Sequence, residues 1–436
     1  MKTKEFVFLF GIILVLFASC AEAPRYDINS DDKVPPAAPV VSRYEPLNGA
    51  VQIFYTPPAD RDVISVDARY TRKSDGKVFR YSTSYFSNSI LVFGLADTIV
   101  YDIQLYAVDR AGNHSPEITV QVKPLESALM KVKRSMIIKG GFDALFAKWE
   151  NELRDNVNVL VDYSFTLNGA SKSFTKVFTS ATLENRYYIP DLDIPPTSPI
   201  KVSFRVTDDY DNSTVPVEIG NLYVLKDTLV PKFDADRNPL WTLPESRTIP
   251  LAEYGDNVMQ VFGNDMDGHI KKVVDGTIDQ DNNLNYLYTG HPFASFYDPS
   301  TYWNVMIDLG KEYELSRILT HQRHTAGGYE ADLAKRGAYY QSSNVGRYRM
   351  YRWDNETNKW DTISMHRIPM PQGMLADLEW NRLGRAGDIA YMYPDDPKYT
   401  KPTRWFRYEA MSGFGPNYSD GCGSLSEITL YCKKQN

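Results

Sequence analysis

Short stretches in which hydrophobic and polar residues alternate dominate the chain from Val40 onwards, and turn-forming residues separate them. In residues 101–107, hydrophobic side chains occupy every second position, with aspartate and glutamine between the first three. Val305, Ile307 and Leu309 repeat this spacing in the C-terminal half. Because successive side chains of a β-strand point to opposite faces, a period of two predicts strands with one buried face. The pattern therefore predicts an all-β protein.

The motif that follows residues 101–107 occurs twice. Asp109 and Asn113 enclose a turn, and one domain length later Asp208 and Asn212 stand at the same offset. Aspartate and asparagine side chains bond back to the backbone in turns, which favours them at such positions. A repeat at this long period indicates duplicated domains rather than a solenoid of short units.

The first copy resembles a fibronectin type III domain. In that family a Tyr-x-x-x-x-x-Ala-x-Asp strand leads into a Gly-Asn-x-Ser turn, as residues 101–115 do here. The resemblance implies two Ig/fibronectin type III-like sandwiches in tandem, which we place at residues 40–124 and, more divergent, at residues 125–225. We expect both of them to act as spacers or interaction modules without chemistry of their own.

Residues 226–436 resemble a discoidin domain, also called a coagulation-factor type C domain. A tryptophan strand ending in Asp-Leu-Gly, residues 303–310, is followed at once by a strand that contains Ile318. Three later segments match the family in the same order: residues 349–363, residues 404–408 and residues 425–428. The resemblance implies a jelly-roll β-sandwich with galactose-binding-like topology at the C-terminal end of the all-β chain.

The N-terminal residues resemble a bacterial lipoprotein signal. Lys2 and Lys4 precede an uncharged hydrophobic run, residues 6–17, which is too short to span a bilayer as a mature helix. The run ends in Phe-Ala-Ser-Cys, which is similar to a lipobox. We expect residues 1–19 to be a signal peptide and Cys20 to be acylated. A conventional secretory signal with an incidental cysteine is the alternative.

Composition limits the classes of partner. Residues 20–39 are polar and proline-rich, which is typical of a flexible spacer. The 48 basic and 55 acidic residues give a net charge of −7, and they form no basic stripe, so nucleic acid is not expected as a partner. The 3 cysteines are too few for a disulfide-stapled scaffold or a thiolate zinc site.

The sequence gives no support for catalysis. It contains no His-Glu-x-x-His, Gly-x-Ser-x-Gly, Gly-x-x-x-x-Gly-Lys or Cys-x-x-Cys motif. His321 and His324 follow a predicted strand, where side chains three positions apart face opposite ways. Asp395 and Asp396 are adjacent in turn-like sequence, which favours solvated turn formers over a glycosidase couple. We therefore expect a protein that is not an enzyme.

The discoidin resemblance also implies a structural calcium site. Sugar-binding relatives carry an Asp-Gly-Asp-x-x-Thr turn, and Asp275, Gly276 and Asp279 lie at the corresponding place, with Thr277 in place of an aspartate. The last ligand of the family is the glutamate of the closing strand, here Glu427. Carboxylate oxygens suit calcium, so these three acids are the candidate ligands. An ordinary Asp-Gly turn is the alternative.

Two long excursions of the C-terminal domain offer side chains for a carbohydrate site at one end of the jelly roll. A sugar presents apolar C–H faces together with hydroxyls, so its site needs an aromatic ring beside hydrogen-bonding groups. We predict that Trp380 stacks on the sugar and that Arg323 binds a hydroxyl, although each aromatic side chain could instead pack its own loop. Trp303, Trp360 and Phe406 lie within strand motifs and are predicted to be core residues. The candidate ligand-binding residues are Arg323, His324, Tyr329, Trp380, Arg382 and Tyr391.

The order of lipobox, two fibronectin-like modules and a discoidin-like module resembles surface lipoproteins of Gram-negative polysaccharide-utilisation systems. In that family such proteins are non-catalytic glycan binders beside outer-membrane importers. The resemblance implies a lipid-anchored outer-membrane protein that faces the cell exterior, binds a poly- or oligosaccharide and lies near an importer complex. A structural or adhesive protein that docks a partner protein through an edge strand is the alternative. A lipoprotein that faces the periplasm also stays open.

Overall fold

A computed structural model describes residues 32–243, 259–260, 270–280, 285–288, 302–324, 339–341, 343–369, 377–414 and 423–434 of the 436-residue chain. Strands dominate these residues, and the predicted all-β class is confirmed: two sandwiches in tandem are followed by a further β-sandwich. Cys20 and Tyr329 lie outside the described residues. Within the described ranges, no helix combines the length and the hydrophobicity needed to cross a bilayer.

The first sandwich packs a three-stranded sheet on a four-stranded sheet. Its strands are β1 (Val40–Leu47), β2 (Ala50–Thr56), β3 (Val63–Thr71), β4 (Val78–Ser84), β5 (Ser89–Val92), β6 (Tyr101–Asp109) and β7 (Ile118–Val122). The sheets run β1-β2-β5 and β4-β3-β6-β7, with antiparallel neighbours throughout. The alternation in β6 works as predicted, because Ile103 and Leu105 are fully buried and join Val51 and Ile53 of the facing sheet in one core.

The second sandwich repeats this arrangement strand for strand. Its strands are β8 (Ile137–Gly141), β9 (Ala144–Glu150), β10 (Val157–Leu167), β11 (Ala170–Ser180), β12 (Glu184–Ile189), β13 (Ile200–Asp208) and β14 (Val217–Leu222). The sheets run β12-β9-β8 and β11-β10-β13-β14. A helix, α1 (Ala128–Ser135), precedes them, and the Ser127 hydroxyl caps it by accepting from the Met130 backbone N–H. Its Leu129 and Val132 are buried in the core of this sandwich.

The repeated aspartate and asparagine form the same turn in both sandwiches. Asp109 Oδ1 accepts from the backbone N–H of Asn113 at 2.8 Å, and its Oδ2 accepts from the side-chain amide at 2.9 Å. Asp208 holds Asn212 in the same way, at 3.0 and 2.9 Å. The residue before each asparagine has a positive φ, a conformation that such a turn requires.

The third sandwich is larger and has a different topology. Its strands are β15 (Asp227–Leu229), β16 (Met259–Gln260), β17 (Leu287–Tyr288), β18 (Trp303–Tyr313), β19 (Leu315–His321), β20 (Val345–Asp354), β21 (Lys359–Arg367), β22 (Asp388–Tyr391), β23 (Thr403–Gly413), β24 (Ser424–Leu425) and β25 (Glu427–Lys433), with a 3₁₀ turn at Ile270–Val273 and helix α2 (Asp377–Ala386). The two main sheets run β15-β25-β19-β22 and β16-β18-β23-β20-β21, and β17 pairs with β24. Trp303 and Phe406 are buried in the main core, and Trp360 is buried in a smaller cluster with Met306 and Tyr351, so all three predicted core aromatics are buried.

The turn of the second sandwich joins it to the first. The Asn212 side-chain amide donates to the Gly94 carbonyl oxygen at 3.1 Å, and Asn212 Oδ1 accepts from the Arg72 guanidinium at 2.7 Å. Arg72 also donates to the Tyr210 carbonyl oxygen at 3.0 Å. A Cβ on Gly94 would lie only 3.0 Å from the Tyr210 ring, so glycine allows the close approach. The first joint of the chain is therefore held by polar contacts beside one longer ring contact, Tyr210 with Phe93 at 6.4 Å.

Aromatic rings join the second sandwich to the third. Tyr188 of β12 stacks on Tyr391 of β22, with ring centroids 4.4 Å apart and an interplanar angle of 12°. Phe142 lies against the same Tyr391 ring at 6.0 Å. Two ion pairs flank the rings, each at 2.6 Å: Lys139 with Asp396, and Arg186 with Asp395. The adjacent acids that the sequence suggested to be solvated turn formers thus bind basic side chains of the second sandwich.

Candidate functional site

Several strand ends meet at one end of the third sandwich. β19 ends at His321, which pairs with Glu427 at the start of β25. Asn344, just before β20, forms a bridge with Ser424 of β24. The strand that follows helix α2, β22, pairs with β19 and brings the helix to the same end. The two excursions that were singled out in the sequence therefore come together here.

Arg323 lies beside two tyrosine rings at this end. Its guanidinium carbon is 4.1 Å from the ring centroid of Tyr286 and 5.7 Å from that of Tyr288. Tyr288 lies in β17 and Tyr286 just before it, and both rings face the same guanidinium group. The Arg323 carbonyl oxygen accepts from the side-chain amide of Asn344 at 2.8 Å. The half-buried arginine is thus held at its backbone and attracted to the rings by about 0.5–2 kcal/mol.

His324 connects this arginine to a buried acid. The His324 backbone N–H donates to Asp279 Oδ2 at 2.9 Å, and its ring lies 4.9 Å from the Tyr339 ring. Asp279 is fully buried, and this burial raises the pKa of its carboxyl group. Asp279 therefore fixes the backbone of the loop that carries Arg323 and His324.

Trp380 packs against Tyr340, the next residue in the chain after Tyr339. Its ring meets Tyr340 edge-to-face at 5.7 Å and 88°, and Tyr340 meets Phe414 at 5.3 Å. Gly384, one turn later on α2, lies so close to Tyr339 that a Cβ there would be 2.2 Å from the ring. Trp380 is half-buried, so part of its surface still faces solvent. We name the following residues the aromatic–arginine cluster: Tyr286, Tyr288, Arg323, His324, Tyr339, Tyr340 and Trp380.

The other predicted ligand-binding residues lie elsewhere or outside the described residues. Arg382 is exposed on α2, on the helix that carries Trp380. Tyr391 lies in the joint with the second sandwich and pairs with Arg317, away from the His321 end of β19. Burial in this joint raises the pKa of Tyr391. The structure thus brings Arg323, His324 and Trp380 together and does not bring Tyr391 to them.

Two of the predicted calcium ligands bind groups of the protein. Asp275 Oδ1 accepts from the Thr277 backbone N–H at 2.8 Å and from the Asn285 side-chain amide at 3.2 Å. Asp279 binds His324 through Oδ2, and its Oδ1 has no hydrogen-bond partner among the described residues. The contacts of Asp275 are those of an Asp-Gly turn, which was the alternative interpretation of this segment.

The third predicted ligand, Glu427, faces a lysine. Its side chain is 2% exposed, and its Oε1 accepts from the ammonium group of Lys232, whose side chain is 10% exposed. Oε2 of Glu427 has no partner among the described residues. A buried carboxylate of this kind is stabilised by a nearby cation, and Lys232 supplies one. Burial lowers the pKa of Lys232 to about 7, and in its charged form this ammonium group would repel a second cation placed here. While Lys232 occupies this position, the three predicted ligands do not form a donor set that fits a calcium ion. Calcium binding itself is not tested by this contact and stays a prediction.

Sequence reasoning missed the tyrosines of the aromatic–arginine cluster and Lys232. The signal for Tyr286 and Tyr288 was available, because the run Asn-Tyr-Leu-Tyr alternates and puts both rings on one face. The adjacent Tyr339 and Tyr340 give no such signal, since their partners come from helix α2 and from the end of β19. Lys232 meets a residue near the other end of the domain sequence, which no local pattern shows.

Comparisons with known proteins cover the first sandwich and, more loosely, the whole chain. Residues 36–124 match the family model described as a domain of unknown function, DUF4959. No curated protein matches the chain. A SusE-like protein of solved structure is similar at 17% identity, with a TM-score of 0.35, over 70% of this chain and 99% of that one.

Two further solved structures come from fibronectin type III proteins. The two-domain segment of chicken tenascin is 18% identical, covers 44% of this chain and 100% of its own, and has a TM-score of 0.22. The FN1–FN3 domains of chicken CNTN1 are 11% identical, cover 92% of this chain and 100% of their own, and have a TM-score of 0.22. A functional assignment therefore depends on the chain's own residues.

Proposed function

We propose that this protein is a non-catalytic cell-surface lipoprotein whose third sandwich binds carbohydrate. The observation that supports this is the aromatic–arginine cluster, in which a guanidinium group, a histidine and half-buried rings from separate segments meet at one end of the sandwich. Tyr288, Tyr340 and Trp380 each keep part of their surface in solvent. The cluster is therefore a surface that a ligand can reach.

The chemistry of the cluster suits a sugar. Aromatic rings offer an apolar surface for the C–H face of a pyranose, and a guanidinium group offers several N–H donors to its hydroxyls. The Arg323 side chain is already oriented by the Tyr286 ring and its backbone is held by Asn344, so little side-chain entropy is lost when it binds. These features support recognition of a poly- or oligosaccharide by its shape and hydroxyls.

The resemblance of the N-terminal residues to a lipoprotein signal supports a position of this site at a cell surface. An acylated Cys20 would anchor the chain in the outer membrane, and the sandwiches follow one another head to tail through two joints. The aromatic–arginine cluster lies at the His321 end of β19, away from the joint that contains Tyr391. A site held outwards in this way fits a protein that captures polysaccharide beside an importer complex.

A glycan array with the full chain tests this function. We expect retention on at least one glycan and its loss in an Arg323→Gln variant, because the side chain loses its guanidinium donors. Arg80→Gln, at an exposed arginine of the first sandwich, is the matched control and should bind as the wild type does. Trp380→Ala should also lose retention, but with a lower Tm, because Tyr340 loses its edge-to-face partner.

Each outcome of the array decides one question. Retention that survives both Arg323→Gln and Trp380→Ala would place the sugar elsewhere on the chain. A wild-type protein that binds no glycan would contradict the carbohydrate function itself. In that case Cys20→Ser, which should release the chain from membranes, still tests the lipid anchor separately.

A second candidate function is docking of a partner protein, which one edge strand favours. β11 lies at the edge of its sheet and is exposed along most of its length. Phe174 and Val177 project from it with about half of their surface in solvent. An unpaired edge with exposed apolar side chains can accept a strand from another protein. Lysine at both positions should then abolish binding of the partner without changing glycan retention.

A further inference from the structure

Exposed apolar side chains gather at one end of the first sandwich. Phe86 is 83% exposed, and its ring centroid lies 4.0 Å from that of Tyr85, which is 38% exposed. Ile64 beside them is 47% exposed, and its carbonyl oxygen accepts from the Tyr85 backbone N–H at 3.1 Å. Val34 and Val40 add further surface at 72% and 67% exposure. A soluble module gains nothing from apolar side chains collected in this way, so the patch indicates an interaction.

Strand register places these residues at the same end. Ser84, at the end of β4, pairs with Ser65 at the start of β3, so Tyr85 and Ile64 are neighbours. Val40 begins β1 and pairs with Thr56, the last residue of β2. We name Ile64, Tyr85 and Phe86 the N-terminal tip.

The chain enters the first sandwich at this end. The Asp32 carbonyl oxygen accepts from the Asn113 side-chain amide at 3.0 Å. The carboxylate of Asp32 also lies within 4.8 Å of those of Asp62 and Asp109, and Asp62 is two residues from Ile64. The second sandwich attaches at the opposite end, where Asn48 forms a bridge with Leu125. The N-terminal tip therefore points away from the rest of the protein.

The number of residues between Cys20 and Asp32 limits the distance between the lipid anchor and the N-terminal tip. Cys20 and Asp32 are twelve positions apart in the chain, a separation of at most about 40 Å when fully extended. A coil of that length has a root-mean-square extent of about 20 Å. If Cys20 carries the lipid, as proposed above, Asp32 lies no more than about 40 Å from the bilayer surface, and the N-terminal tip is at the same end of the sandwich.

We propose that the N-terminal tip contacts the lipid bilayer in which Cys20 is anchored, as a second attachment to the membrane. This inference rests on the proposed lipid anchor. Tyrosine and phenylalanine suit the boundary between headgroups and acyl chains, because their rings bury apolar surface there. Lys33, Arg61 and Arg110 are exposed at the same end and offset the charge of the carboxylates of Asp32, Asp62 and Asp109 there. The contact holds the row of sandwiches at a defined angle to the membrane.

Fluorescence quenching in vesicles tests the contact. The full lipidated chain carries Phe86→Cys labelled with bimane, in vesicles of phosphatidylethanolamine, phosphatidylglycerol and a doxyl-labelled lipid. The matched control is Val215→Cys, since Val215 is 77% exposed but lies beyond the joint with the second sandwich. Unsubstituted protein treated with bimane gives the background from the native cysteines. We expect quenching at position 86 to be at least about twofold stronger than at position 215, as for a group in the headgroup region.

The possible results separate the tip from the anchor. Protein that floats with the vesicles but is quenched equally at both positions would overturn the contact and leave the anchor intact. Protein that does not float would overturn both. A blue shift of the label at position 86 that grows with protein concentration, without quenching, would assign the tip to a contact between copies of the chain and also overturn the membrane contact.

Discussion

Lys232 and Glu427 lie side by side inside the third sandwich, next to the Asp-Gly turn that was predicted to bind calcium. Lys232 also lies 5.2 Å from the centroid of the Trp241 ring, so its stem and its charge are both enclosed. The Gly276 backbone N–H donates to the same Glu427 oxygen at 3.2 Å. One ammonium group therefore ties β25 to the Asp-Gly turn, which is the role that a structural ion would have.

We predict that Lys232→Met destabilises the third sandwich by about 3–5 kcal/mol, because it leaves the buried Glu427 carboxylate without its partner. Thermal or urea unfolding of the full chain measures the loss. The control is Lys433→Met, whose exposed pair with Glu314 should be worth less than about 1 kcal/mol. EDTA should leave the Tm of the wild type unchanged, whereas a rise in Tm with added calcium would show that an ion binds after all.

Single residues were predictable from the sequence where a strand period or a turn motif fixed them. Trp303 and Phe406 were predicted to be core residues from their strands, and both are fully buried. The neighbours of Tyr391 were not predictable, because Tyr188 lies in another sandwich and meets it only after both have folded. The same holds for Lys232, whose role depends on a contact across the whole third sandwich.

At the scale of elements, the turn with aspartate and asparagine occurs three times in the part of the chain that the structure describes. Besides the two predicted copies, Asp234 holds Asn238 with two bonds of 2.8 Å at the start of the third sandwich, and Arg237 has a φ of 65°. The Asp-x-x-x-Asn spacing of Asp234 and Asn238 is visible in the sequence. This third turn was not predicted, because no long strand precedes it. In the first two sandwiches the asparagine also binds the preceding part of the chain, at Asp32 or at Gly94.

We predict that Asn212→Ala costs about 1–2 kcal/mol more than Asn113→Ala, because Asn212 also accepts from the charged Arg72. Both variants lose the side-chain bond to the turn aspartate and one bond to a carbonyl oxygen of the preceding part of the chain, so each serves as the control for the other. Hydrogen exchange measured by mass spectrometry should show faster exchange at the Gly94 segment only in Asn212→Ala. Equal exchange in both variants would mean that the joint does not depend on this asparagine.

The longer strands of the third sandwich could be predicted because each carries a local sequence signal, whereas the candidate site could not. β18, β20, β21, β23 and β25 each contain a period-two motif or a tryptophan hairpin that the sequence shows directly. The aromatic–arginine cluster is instead assembled from the ends of elements that are distant in sequence. Arg323, His324 and Trp380 were predicted from their side-chain types and their place in two long excursions. Their arrangement could be seen only from the registers of the sheets.

For the whole molecule, the two joints differ in chemistry. The first depends on Arg72 and Asn212, whose bonds compete with water. The second buries stacked rings of Tyr188 and Tyr391 between flanking ion pairs. Apolar burial is the larger of these contributions, so the second joint should be the more rigid one.

We predict that Tyr391→Ala loosens the second joint and leaves glycan retention unchanged. The loss of its ring should cost on the order of 2 kcal/mol, because it removes the stack on Tyr188 and the contact with Phe142. Small-angle X-ray scattering should show a broader distribution of dimensions for the variant. Loss of glycan retention at unchanged dimensions would instead make Tyr391 a ligand-binding residue, as its place in the sequence first suggested.

The head-to-tail joints have a mechanical consequence if polysaccharide is held at one end and lipid at the other. Tension on the sugar then passes through both joints in series before it reaches the bilayer. The polar joint should yield first, since water can replace its hydrogen bonds one at a time as the surfaces separate. The first sandwich would then stay at the membrane while the other two rotate about the polar joint towards a moving polymer. This rotation would occur before the contacts with the sugar are strained.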